Sequence, residues 1–270
     1  MGAINRRNNK DNYNVQEIMT PKNLSYYSSL DSQVEVYKPG TVTLITGKTV
    51  AHRYFVLNLM VEQLLNNEDS VCLFIPNQNE PEKTYELISM LGFKLDPIDK
   101  IKAVGLLASW TGDKNTRLII PKSTDFDPHC IDPIIEMIEA QEKITHIFVE
   151  SIHAIPTYKV RPDANSLILA IMVCLNCIAR DKGIPVVLGV GKDKPDSKTN
   201  KLVEKNLLFS PLLQDYSELI LGVDFNFDDM APLAMLIYLL KGDRIGDHWP
   251  VFLDYYPGEA LITEQGKIIS

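Results

Sequence analysis

The sequence predicts a doubly wound α/β fold: a mainly parallel sheet with helices on both faces and antiparallel strands along its C-terminal edge. Two observations predict it. From Thr41 onward, short β-branched runs alternate with segments of helical period, the pattern of parallel strands joined by crossover helices. After about residue 218 the pattern changes to strand-like segments that follow one another without long helices.

The alternation is read element by element. TVTLIT at Thr41–Thr46 is the first core strand, and Tyr54–Leu65 the helix after it. VCLFIP at Val71–Pro76 precedes a helix over Glu80–Leu91, and RLIIP at Arg117–Pro121 precedes one over Ile131–Glu142. HIFVE at His146–Glu150 leads to a helix over Ala164–Asp181, and IPVVLGV at Ile184–Val190 closes the series. These strands are nearly continuous apolar runs, as expected where helices cover both faces of a sheet. ELILGVDF, PLAMLIYLL and PVFLDYY then supply the antiparallel edge, joined by NFDDM and KGDRIGDH. Residues 1–24, rich in Asn, Arg and Lys without an apolar period, read as a flexible polar tail, and residues 25–270 as one domain.

Composition narrows the function classes. Net charge is −8, so any nucleic-acid contact must come from a local basic patch, since the field of the whole molecule repels phosphate. Four cysteines in 270 residues are too sparse for a disulfide scaffold, which points to a reducing, cytoplasmic setting. Cys174 and Cys177 form a C-x-x-C inside an apolar run, with no second pair of ligands at zinc spacing, so they are assigned to the core and no metal site is expected. No apolar stretch approaches the roughly 20 residues needed to cross a bilayer, and the N-terminus has no hydrophobic signal core. Gly2 carries no myristoylation motif, because Arg6 stands where Ser or Thr is required.

Ligands of such sheets bind at the carboxyl ends of the strands, so the turn after the first core strand is where a phosphate loop belongs. It reads Gly47-Lys48-Thr49-Val50-Ala51-His52-Arg53. A phosphate loop needs G-x-x-x-x-G-K-[ST], in which glycines let backbone amides wrap the phosphates, lysine reaches the terminal phosphates and the hydroxyl ligates magnesium. Gly47-Lys48-Thr49 mimics the end of that pattern, but its first glycine would fall at Val42, inside the strand, leaving no loop to form a cradle. Four residues later the motif would end at Ala51-His52-Arg53 with Thr46 in first position. Neither register satisfies the pattern.

Several further segments fall in a recognisable order. Leu30-Asp31 and Lys38-Pro39-Gly40 precede the first strand, Phe55-Val56-Leu57-Asn58-Leu59 lies in the helix after the loop, RPDANSLILAIMVCLNCIARDKGIPVV runs from Arg161 to Val187, and Lys241-Gly242-Asp243-Arg244-Ile245-Gly246 follows the second edge strand. In this order the chain resembles the C-terminal, RecA-like domain of DnaB-type replicative helicases, from about Leu24 to Ser270. The resemblance implies an ATP-dependent, magnesium-requiring DNA helicase core of the P-loop superfamily. It also marks which of its residues are altered here. Ala51 replaces a glycine, His52 the lysine and Arg53 the hydroxyl residue. Gln78, an amide, stands where a carboxylate would position attacking water, and Glu150 where a magnesium-linked aspartate is expected. Gly191 stands near a polar glutamine position, while Lys241 and Arg244 match the pair that reaches a neighbouring subunit's nucleotide.

The loop from Gly191 to Asn206 carries Lys192, Lys194, Lys198, Lys201 and Lys205 against Asp193, Asp196 and Glu204, five cations less three anions for a net +2. The resemblance gives it a role on single-stranded DNA. Lacking aromatic residues, it offers charge without a stacking platform, and a solvated loop is an equal reading.

Three readings are open at this point. The leading one is a helicase-core homologue with a decayed ATP site, acting as a binding or assembly module in DNA replication or a mobile element, with single-stranded DNA and replication proteins as its partners. The second is a working ATPase using Lys48 or Arg53 on phosphate and Glu150 on magnesium, with ATP and Mg2+ as cofactors; the third is a scaffold that binds neither nucleotide nor DNA. The family's primase-binding N-terminal domain has no counterpart in these residues, and a monomer or weak dimer is expected rather than a hexamer.

Overall fold

The computed structural model describes residues 24–47, 51–67, 69–77, 80–90, 118–120, 144–152, 164–191, 210–226, 233–256, 258 and 260–264. Nine strands form one sheet: β1 (Val42–Gly47), β2 (Cys72–Ile75), β3 (Leu118–Ile119), β4 (His146–Val149), β5 (Val186–Gly191), β6 (Leu219–Asn226), β7 (Leu233–Lys241), β8 (Val251–Tyr256) and β9 (Leu261–Glu264). Their spatial order is β3-β2-β4-β5-β1-β6-β7-β8-β9. Pairing is parallel from β3 through β6 and antiparallel from β6 to β9. The helices are α1 (Ser28–Asp31), α2 (Ala51–Asn66), α3 (Pro81–Met90), α4 (Ala164–Lys182) and α5 (Ser210–Asp215). The expected strands and helices lie within one to three residues of these bounds, and the helix read over Ile131–Glu142 lies outside the described residues.

Two differences are physical. ELILGVDF is antiparallel only to β7; its other edge runs parallel to β1, with Leu44 opposite Ile220 and Thr46 opposite Gly222. Hydrophobic period identifies a strand but carries no direction, so the turn from parallel to antiparallel comes one strand later than the sequence suggests. The strand β9 and the one-turn helix α1 are four residues each, too short to show a period.

The two-residue alternation of the strands divides the core into two layers. Ile45, Phe74, Phe148, Val187, Leu221 and Val223 face α2, whose Phe55, Leu57, Leu59 and Met60 are all fully buried. Leu44, Leu73, Ile147, Val149, Val186 and Leu188 face the other way, onto Ile168, Met172, Leu175 and Ala179 of α4. Each fully buried side chain of this size contributes about 1.5–3 kcal/mol. Buried almost all round, α2 is the central helix of the fold.

Polar groups fix its position. The Asn58 side chain, buried in α2, donates to the Ala260 carbonyl (2.9 Å) and accepts from the Ile262 amide (3.0 Å), which fastens β9 to the helix. Tyr37 Oη donates to the Leu59 carbonyl at 3.1 Å. The helix α4 stops at Gly183 (φ +63°), where Ile184 donates to Ala179 and Gly183 to Arg180, satisfying carbonyls that a helix end leaves without partners. No helix among the described residues is long and apolar enough to cross a membrane.

Candidate functional site

β1 ends at Gly47 and α2 begins at Ala51, so His52 and Arg53 occupy the first turn of the central helix, facing the carboxyl ends of β1, β4 and β5. Gly47 is required by close approach: a β-carbon there would lie 2.5 Å from the Val223 carbonyl oxygen and 3.2 Å from the His52 amide. At Gly189 a β-carbon would fall 2.1 Å from the Glu150 carbonyl oxygen, so the chain leaving β4 leans directly over β5. The buried His52 imidazole packs on the same strand end, its Cε1 3.7 Å from where a β-carbon of Gly191 would stand.

Glu150, the residue that follows β4, is 0% exposed. It is a carboxylate in the interior and must be matched by charge and hydrogen bonds. Arg53 supplies the charge: its Nε donates to Glu150 Oε1 at 2.5 Å, and Nη2 pairs with the same oxygen. The second oxygen, Oε2, accepts from the Asn77 amide at 2.5 Å and from the Thr84 hydroxyl at 2.8 Å. Arg53 Nη1 reaches Glu80 Oε2 at 2.8 Å, and Lys83 stands 3.5 Å from that oxygen. Burial pulls Arg53 toward neutrality, but Glu150 and then Glu80 outweigh it, and the guanidinium is held more firmly protonated than usual. The Arg53 bond holds the Glu80 carboxyl below its ordinary range.

Two cations and anions thus meet where the sequence places a phosphate loop and a magnesium carboxylate. Sequence reading singled out Arg53 and Glu150 separately and did not pair them; Glu80 and Thr84 it missed. The signal available was the complementary change at two positions: a cation where a hydroxyl is expected, and a longer carboxylate where an aspartate is.

The other sequence-derived residues divide. Lys241 lies at the end of β7, and its ammonium donates to the carbonyls of Gln214 and Ser217 (2.7 Å to the latter), within its own chain. Backbone carbonyls thus satisfy the Lys241 ammonium, while Glu150 is paired with Arg53. Arg244 is exposed, past Gly242 (φ +127°) in the turn between β7 and β8. Lys48, Thr49, Gln78, Lys192, Lys194, Lys198, Lys201 and Lys205 lie outside the described residues. Among the described residues no three His, Cys, Asp or Glu side chains gather as a metal-ligand set.

The sequence matches no protein-family model and no curated protein. Its structure is similar to the ATPase domain of G40P, with a TM-score of 0.62 at 14% identity over 90% of each chain. It is also similar to the RadB recombinase, with a TM-score of 0.58 at 15% identity over 90% of this chain and 99% of that one. The fold is RecA-like. A DnaB-like replicative helicase, solved in a study of its interactions with primase, gives a TM-score of 0.66 at 14% identity; the RecA-like chain described here spans 61% of its length. The sheet order and the antiparallel edge agree with the fold class read from the sequence, and the residues gathered at the strand ends lie where this fold places its ligand crevice.

Proposed function

We propose that this chain is a DnaB-like helicase-core homologue whose ATP site has decayed, and that it serves as a nucleotide-independent binding and assembly module in DNA replication or a mobile element. The observation that carries this reading is the Arg53–Glu150 pair. Magnesium with a bound nucleotide demands oxygen ligands in near-octahedral array, usually one or two carboxylates, a hydroxyl and phosphate oxygens. Here both Glu150 oxygens already accept hydrogen bonds from Arg53, Asn77 and Thr84. The first turn of α2 offers Ala51, His52 and Arg53, none of which carries a hydroxyl. The described residues of the site do not fit a metal-bound nucleotide, because binding it would require breaking an internal ion pair that already neutralises them.

Single-stranded DNA is the proposed nucleic-acid partner, through Lys192, Lys194, Lys198, Lys201 and Lys205. Contact through all five would make affinity fall about a hundredfold between 50 and 200 mM salt. Anisotropy of a labelled single strand, titrated at both salt concentrations with and without Mg·ATP, tests this. The expected result is weak, salt-steep binding that nucleotide does not alter; binding that tightens with ATP would restore the working-ATPase reading, and no binding at low salt would favour a scaffold. A monomer or weak dimer is proposed, supported by Lys241 being held on its own chain's carbonyls. Light scattering should show no ATP-dependent hexamer.

A further inference from the structure

Among the described residues, Asn77 and the first turn of α3 are tied to one buried ion pair by three polar bonds. Asn77 donates its amide to Glu150, Glu80 binds Arg53, and Thr84, itself 0% exposed, donates its hydroxyl to Glu150. The turn is closed by local bonds from Glu80 to the Asn77 carbonyl and from Thr84 to the Glu80 carbonyl, with Pro81 in the first helical position, where its missing amide costs nothing. Among the described side chains of α3, Leu87 is the one packed on the apolar core.

We propose that Arg53 acts as a tethered cation that locks Asn77 and the first turn of α3 against the first turn of α2 and the end of β4. The inference rests on the reading above and deepens it, since it gives the ion pair at the strand ends a further role in holding α3 in place. The buried Glu150 carboxylate is matched by the Arg53 guanidinium, and the residues roofing it, Asn77 and Thr84, supply its Oε2 partners. Removing the cation therefore sets the carboxylate against its roof. The escape of least cost is for Asn77 and the first turn of α3 to lift and admit water, while α4 and β7 stay in place. Glu80 ties the outer end of the same lock, and its side chain is 39% exposed, so its loss loosens the lock without leaving a buried charge.

Amide hydrogen exchange of the full chain tests this. In Arg53→Ala the amides of Asn77 and of residues 80–84 should exchange about tenfold or more faster, with α4 and β7 unchanged, and in Glu80→Gln several-fold faster. Methylguanidinium at roughly 50 mM, against matched sodium chloride, should restore protection in Arg53→Ala by refilling the vacated place, but not in Arg53→Ala/Glu150→Gln. Unchanged protection of Asn77 and residues 80–84 in Glu80→Gln, or protection lost evenly across the chain in Arg53→Ala, would overturn the lock. Should Arg53→Ala fail to fold, Glu80→Gln carries the test alone. None of these readouts involves nucleotide, so failure of the lock and failure of the nucleotide-independent reading are told apart.

Discussion

Replacing both members of the buried pair should harm the fold less than replacing Arg53 alone. Arg53→Met leaves the Glu150 carboxylate, 0% exposed, with hydrogen bonds but no counter-charge, a change that costs about 3–5 kcal/mol. For a chain of this size that lowers the melting temperature by roughly 10 °C. Glu150→Gln costs less, about 1–3 kcal/mol, because Arg53 keeps Glu80 and the amide oxygen can still accept from Thr84. The double variant carries no buried charge at this point and should lose only about 1–3 kcal/mol in all, so the coupling between the two positions is about 4 kcal/mol at mid-range and at least about 1 kcal/mol. Urea unfolding of the four proteins measures it, with constant m-values required for the comparison. Additivity within about 0.5 kcal/mol would refute the reasoning, because it would mean that Arg53 does not neutralise Glu150.

Other perturbations follow from the same geometry. Gly189→Ala places a β-carbon 2.1 Å from the Glu150 carbonyl oxygen, backbone against backbone, and should cost about 3 kcal/mol by thermal unfolding; a neutral substitution would show that the chain after β4 does not lean over β5. Asn58→Leu leaves the Ile262 amide and the Ala260 carbonyl without their partner, so a loss of about 1–3 kcal/mol is expected, with β9 exchanging first by hydrogen exchange; equal protection of β9 would contradict it. Stability should also fall in acid. Glu80, lowered by its bond to Arg53, and Glu218, lowered by its bond to Lys38, stabilise the fold above the unfolded value of 4.5, and that contribution is lost as pH falls through their lowered folded values. Asp31, raised by burial, acts with the opposite sign and offsets part of the loss. Urea midpoints of wild type and Glu80→Gln/Glu218→Gln, compared from roughly pH 6 down to 3, should show a shallower decline in the variant.

The parallel core was legible because its strands are continuous apolar runs bounded by turn residues: CLFI, HIFV and VVLGV have no other reading once helices alternate with them. The place of the site was legible for the same reason, since strand order fixes where carboxyl ends gather. What was not legible is the pairing inside it. Arg53 and Glu150 are 97 positions apart, and nothing local to either residue announces the other. Against the pattern of a phosphate loop each looks like a loss, and only their juxtaposition shows that they form an ion pair. The intrachain bonds of Lys241 were hidden likewise, because they depend on where α5 ends relative to β7.

In the proposed reading the Arg53 guanidinium holds the place of nucleotide and metal, and calorimetric titration of the wild-type chain with ATP, magnesium present and absent, is the decisive test. No saturable heat is expected, corresponding to a Kd weaker than about 1 mM in both conditions. A magnesium-dependent Kd of a few micromolar, near −8 kcal/mol of binding free energy, would contradict it.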